Sequence, residues 1–161
     1  MAISQSKSDI RIDMSKTEVK SIIKRKIRED WQKQWEEDIK GRWLYRIQRK
    51  VGEIRGKIGR NRIEKRIITR LRLGHTGLNS TLRLMGKHET GRCDECGENE
   101  TIEHVMYTCR RFQRQRTQLI RSLTKEKEKY CLTNILRKSI YDSSYRIMFR
   151  YLLATGLAKR I

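Results

Sequence analysis

Cys93, Cys96, His104 and Cys109 form a C-x2-C-x7-H-x4-C series. Thiolates two residues apart can both reach one tetrahedral ion from a tight turn, and a His and a third Cys from the next segment complete four-coordination. The series reads as a site for one Zn2+. Four protein ligands leave no open position for water or substrate, so the ion is expected to be structural and not a Lewis acid. Gly97 follows the second Cys, where a turn needs permissive backbone, and Thr101 can cap a short helix carrying His104. Five residues on, an ideal helix has rotated by about 140°. The helix is therefore expected to end or loosen before Cys109.

Other readings of these residues are weaker. Scattered buried thiols and a surface His would not produce the two-residue Cys spacing with a completing His and Cys nearby. Disulfides are not indicated, because the polar, charged N-terminus from Ser4 onward lacks the pattern of a signal peptide. A redox role for the C-x2-C pair would want a strand-helix-strand context, which the pattern lacks. Cys131, in a stretch containing Leu and Ile, reads as a small buried hydrophobe. His75 and His88 are alternative ligands without a spacing that demands either. His75 is also the one residue that looks catalytic, but a lone His without a patterned carboxylate is more often structural. No enzyme activity is expected.

The chain has 161 residues, a formal net charge of +20, and 36% charged residues. Such an imbalance means sustained self-repulsion unless a polyanion neutralises it, and nucleic acid is the obvious candidate. Half the excess lies in residues 41–72, where twelve Lys/Arg face only Glu53 and Glu64. Residues 93–109 are the reverse, with Asp94, Glu95, Glu98, Glu100 and Glu103 and no Lys/Arg; residues 110–121 contain no acid. Phosphate contacts are accordingly expected from Arg62, Lys65, Arg66, Arg70 and Arg72 before the Cys/His segment, and from Arg110, Arg111, Arg114 and Arg116 after it. A solvated helix face is the plainer reading of any basic run, but few acidic i,i+4 partners are present. An interfacial membrane helix is disfavoured by Gly52, Gly56 and Gly59, and no apolar run of about 18 residues exists to span a bilayer. Neither a membrane nor a small-molecule substrate is expected as a partner.

The elements that must position these residues are helical, and the expected fold class is all-α: small bundle-like units around a CCHC zinc-stabilised loop. Residues 1–14 are unpatterned and expected to be a disordered lead-in. Residues 15–60 form an amphipathic connector. It opens on Ser15-x-x-Glu18, a capping box, with Met14 and Val19 at staple positions. Val19, Ile22, Ile23, Ile27, Trp31, Trp35 and Ile39 recur at three- and four-residue steps, so the Trp pair is expected in a core rather than stacked on bases. A second helix is expected from Arg42 to Val51. Residues 61–124 hold a basic helix capped at Asn61, a short helix stopped at Gly86, the zinc module, and a helix from Arg110 with Phe112, Leu119 and Leu123 inside. Residues 125–161 are expected to add two helices around a loop near Asp142 and Ser143.

Three stretches together resemble a known family: Ile68-Thr69-Arg70-Leu71-Arg72-Leu73-Gly74-His75-Thr76-Gly77-Leu78-Asn79, Gly86-Lys87-His88-Glu89-Thr90-Gly91, and the Cys/His series ending Glu103-His104-Val105. They look like the tail of non-LTR retrotransposon polyproteins of the jockey and I type, which follows the reverse transcriptase and an RNase H domain. Trp31-Gln32-Lys33-Gln34-Trp35, Gly41-Arg42 and Tyr45-Arg46-Ile47-Gln48 resemble the connector after RNase H. The resemblance places Cys93, Cys96, His104 and Cys109 on the family's zinc positions and His75 in its Gly-His-Thr segment. It carries over no catalytic residue, since neither the polymerase's paired Asp nor the RNase H carboxylate cluster is matched. It implies a detached C-terminal module that holds template RNA or target DNA, in the nucleus and cytoplasm; Lys24-Arg25-Lys26 is a weak import-like cluster. The alternatives are an interaction module docking through its acidic zinc face on reverse transcriptase or RNase H, and a non-functional fragment of a decayed element.

Overall fold

The computed structural model describes residues 14–53 and 58–161, so the expected lead-in over residues 1–14 lies outside it except for Met14. The fold is all-α. The helices are α1 (Lys16–Glu37), α2 (Arg42–Ile47), α3 (Arg62–Leu73), α4 (Asn79–Leu84), α5 (Gln113–Lys125), α6 (Leu132–Arg137), α7 (Ser143–Ala154) and α8 (Leu157–Arg160). A π-turn at His104–Thr108 and a 3-10 turn at Arg110–Phe112 lead into α5. No described helix is long and apolar enough to cross a membrane.

Caps decide where helices begin. The Glu18 amide donates to Ser15 Oγ at 3.2 Å while the Ser15 amide donates to the Glu18 carboxylate at 2.8 Å, completing the capping box. The Glu64 amide donates to Asn61 Oδ1 at 2.9 Å, and that of Ser144 to Asp142 Oδ1 at 3.0 Å. α3 ends where Gly74 turns left-handed (φ 76°). A Cβ there would also sit 3.2 Å from the Trp43 ring, so both conformation and space ask for Gly.

α7 is the hub. Its buried residues include Tyr145, Met148, Phe149 and Leu152, and it packs against α5, α6 and α8. Ile47 of α2, Ile67, Ile68 and Leu71 of α3, Leu119 and Leu123 of α5, and Leu132, Ile135 and Leu136 of α6 join it in one core. That core is continuous across residues 124 and 125. Buried tyrosines tie it to irregular backbone: Tyr145 donates to the Ile58 carbonyl (2.9 Å), Tyr151 to Val105 (2.6 Å) and Tyr130 to Met106 (2.6 Å). These bonds satisfy carbonyls that no helix ladder serves.

The connector departs from expectation. α2 stops at Ile47, well short of Val51. α1 buries none of its residues, so the stripe expected to enter a core stands in solvent. Among the described residues, its last turns are what fastens it to the body: Trp35 Nε1 donates to the Gln48 carbonyl at 2.8 Å, and Arg42 Nη2 to the Trp35 carbonyl at 2.6 Å. Trp35 is half-buried edge-on to Tyr45, whereas Trp31 is exposed and Ile39 lies beyond the helix end. Periodicity shows that a face is apolar, but not what covers it.

Candidate metal centre and its cationic flanks

A short hairpin presents the first two thiols. Arg92 and Asn99 bridge antiparallel, the Cys93 amide donates to the Glu98 carbonyl (2.7 Å), and the Gly97 amide donates to the Cys93 carbonyl (2.8 Å). Gly97 takes φ 72° with open space around it, so backbone conformation alone asks for Gly. The start of α4 clamps this hairpin. The Asn79 amide donates to the buried Glu100 carboxylate (2.8 Å), Asn79 Nδ2 to the Arg92 carbonyl (2.7 Å), and Ser80 Oγ to the Glu100 carbonyl (2.8 Å).

The second pair comes from the turn that follows. Thr101 Oγ1 accepts from the His104 amide at 3.1 Å, as expected of a cap. The backbone then loosens into a π-turn in which the Cys109 amide reaches the His104 carbonyl at 2.8 Å. The wider turn brings Cys109 onto the side of His104 that an unbroken α-helix would have carried it past.

The potential ligand atoms of Cys93, Cys96, His104 and Cys109 all lie within 4.8 Å of one another. Cys109 Sγ is 3.8 Å from both Cys93 Sγ and Cys96 Sγ. A tetrahedral ion about 2.3 Å from each sulfur would set the sulfurs about 3.8 Å apart. That separation is far too long for a disulfide. His104 supplies an independent test of fit: its Nε2 is buried and has no hydrogen-bond partner, while Nδ1 meets Glu98 Oε2 at 2.9 Å and Thr108 Oγ1 at 3.1 Å. A carboxylate on Nδ1 fixes the proton there and leaves a lone pair on Nε2, the arrangement of a carboxylate–histidine–metal triad. The cluster can hold a metal ion.

Its electrostatics fit the same chemistry. The Arg110 amide, 3.4 Å from Cys96 Sγ, is the chief cause of that thiol's lowered pKa. Burial pushes the Cys109 thiol up to about 12, so without a cation it stays protonated. Sequence spacing found the ligands but missed Glu98 and Thr108, because only the closed hairpin and the π-turn bring them to Nδ1. It also missed Arg116 as a support: Arg116 Nη1 donates to the Cys109 carbonyl at 2.9 Å. Cys131 is half-buried and contacts Thr133, and His75 is exposed. His88 caps its own turn by accepting from the Gly91 amide at 3.0 Å.

The expected phosphate contacts sort by exposure. Arg62, Lys65 and Arg66 on α3 and Arg110, Arg111 and Arg114 beyond the cluster are exposed, and among the described residues none is in an ion pair. Arg70 is exposed but its Nη1 donates to the Ile161 carbonyl at 2.8 Å, and Arg116 is half-buried. Arg72 is a correction: it is 8% exposed and donates to the Leu136 carbonyl at 2.8 Å, so it links α3 to α6 and is not a surface cation. Burial lowers its pKa. Two cations that sequence reading passed over, Arg146 and Arg150 on α7, line a groove of about 360 Å3 with Arg60 and Asn61. Their i,i+4 spacing on the polar side of an apolar helix was the available signal.

Three of the five acids of residues 93–109 are engaged within the chain. Glu98 pairs with His104, Glu103 with Arg46 (2.7 Å), and Glu100 with Arg160 (2.6 Å). Comparison with protein-family models, curated proteins and solved structures gives no match.

Proposed function

We propose that the chain is a zinc-stabilised basic module that binds nucleic acid, and that the resemblance across residues 67–109 marks it as part of the C-terminal region of a retrotransposon polyprotein, holding template RNA or target DNA. The observation that carries this reading is the junction at residues 109–114. The Arg110 amide touches a thiol of the candidate metal cluster, and the side chains of Arg110, Arg111 and Arg114 stand in solvent outside any ion pair among the described residues. Zinc is the ion favoured by three thiols and one imidazole in a closed set. When bound, it would hold the hairpin, the π-turn and the start of α5 in one geometry, and the arginines would supply the contact. Docking on reverse transcriptase or RNase H through the acidic segment is less favoured, because Glu98, Glu100 and Glu103 already have partners.

Elemental analysis and gel shifts test the two halves separately. One zinc per chain is expected, with partial loss of helix by circular dichroism on chelation, since metal binding is coupled to folding in small sites. Binding to a labelled RNA or DNA should weaken steeply between low and physiological salt and depend little on sequence. Retained structure in metal-free protein would remove the zinc half; a salt-insensitive affinity would remove the phosphate half.

A further inference from the structure

We infer that α1 is a homodimerisation helix that pairs antiparallel with α1 of a second copy. The inference is independent of the proposed function and starts from the uncovered face. Val19, Ile23, Ile27 and Trp31 are 40%, 51%, 60% and 57% exposed, with Ile22 beside them, on a helix of 22 residues that, among the described residues, is held to the body at its C-terminal end. These side chains offer on the order of 500 Å2 of apolar surface, comparable with the largest patch on an ordinary monomer and about half of a small stable interface.

The charge pattern selects the occupant. Residues 16–28 carry Lys16, Lys20, Lys24, Arg25, Lys26 and Arg28 against Glu18, while residues 29–38 carry Glu29, Asp30, Glu36, Glu37 and Asp38 against Lys33. That order opposes the macrodipole, which favours anions early and cations late; no base stands in the last turn. A lone helix gains from it only the exposed pairs Arg25–Glu29 and Lys26–Asp30. An antiparallel second copy adds to them, because most of each cationic stretch then faces the other copy's anionic stretch.

A two-fold axis near Ile27 gives a register in which Ile27 meets its own copy, Ile23 meets Trp31, and Lys16, Lys24 and Arg25 meet Asp38, Asp30 and Glu29, against the like-charged pairings Glu18 with Glu36 and Lys26 with Arg28. Arg25–Glu29 and Lys26–Asp30 are now exposed pairs within one helix, 3.9 and 3.1 Å apart, so Arg25, Glu29 and Asp30 are accessible to the second copy. Val19 then faces Trp35, where a groove of about 170 Å3 lined by Trp31, Trp35, Leu44, Gln48 and Val51 continues the apolar stripe. A parallel pair would set like charges against each other along its whole length.

Sedimentation of the metal-loaded, nucleic-acid-free full chain tests this over a concentration series. The mass should rise from 19.4 kDa toward twice that value. The double variant Lys24→Glu and Arg25→Glu should remain monomeric. Adding Glu29→Lys and Asp30→Lys should restore self-association, and the four-fold swapped chain should not pair with the original. Circular dichroism, read through zinc-dependent helix loss, shows that each variant keeps its body folded. A chain that stays monomeric at every concentration would overturn the inference, as would a swapped chain that pairs with the original, which indicates parallel packing. Binding of the monomer to phosphatidylserine vesicles without self-association would assign the face to a membrane surface and equally overturn it.

Discussion

His104 divides its two ring nitrogens between different tasks, and the division can be tested by touching only one. Nε2 is the buried atom without a partner, while Nδ1 is held by Glu98, which is itself largely exposed. Replacing Glu98 by Gln keeps a hydrogen-bond acceptor but removes the charge that makes the imidazole a better donor of its lone pair. Metal affinity should fall by about 10- to 100-fold in competition with a chromophoric chelator, with an unchanged spectrum at saturating zinc. An unchanged affinity would mean that Glu98 is a bystander. Glu100 plays a different part. It is 1% exposed and accepts from Arg160 at both oxygens and from the Asn79 amide, which outweighs burial and lowers its pKa. Glu100→Gln should therefore cost about 2–3 kcal/mol in urea unfolding with zinc in excess, because Arg160 is left half-satisfied at the clamp. The four ligands were legible from type and spacing alone. Glu98, Glu100 and Arg160 were not, since their roles depend on a hairpin closing and on α8 arriving from the far end of the chain.

At the scale of elements, α3 shows how a basic helix can be read only in part. Its cap at Asn61 follows from local pattern, and of the expected series Ile63, Ile67 and Leu71 the last two are buried while Ile63 stands exposed. Arg72 does not follow, because nothing local tells a cation bonded to a carbonyl on α6 from one in solvent. The same blind spot placed the α1 stripe in a core. Glu64 makes the packing of α3 measurable. Burial would raise its pKa, but the side chain and amide of Arg60 outweigh that and hold it below the usual carboxylate range. Glu64 thus takes up its proton less readily when folded than when unfolded. Its contribution is present above the unfolded value of about 4.3 and is lost as pH falls through the folded value. Urea midpoints of the native chain should drop more steeply below about pH 4.5 than those of Glu64→Gln. Thiol protonation adds to both curves alike, so the difference isolates Glu64; parallel curves would show that Arg60 does not stabilise its charged form.

At the scale of the whole molecule, the proposed function asks that a net charge of +20 be split between cations that hold the fold and cations that meet nucleic acid. The structure makes that split by bonding: Arg72 donates to the Leu136 carbonyl and Arg160 to the Glu100 carboxylate, whereas Arg110, Arg111 and Arg114 stand exposed. Two variants should then behave as opposites. Arg72→Gln gives up a buried bond to the Leu136 carbonyl, so it should lower thermal stability while leaving the salt dependence of nucleic-acid binding intact. The triple change of Arg110, Arg111 and Arg114 to Gln should leave the melting temperature nearly unchanged, since exposed side chains outside ion pairs add little to stability. It should reduce the slope of log affinity against log salt by roughly two to three, at about 0.7 to 0.9 per lost phosphate contact. The pair of measurements separates fold from contact even though both remove positive charge. If the two variants instead flattened the slope in proportion to the charge removed, binding would be a diffuse response to net charge, and the rim beside the metal cluster would have no special place in it.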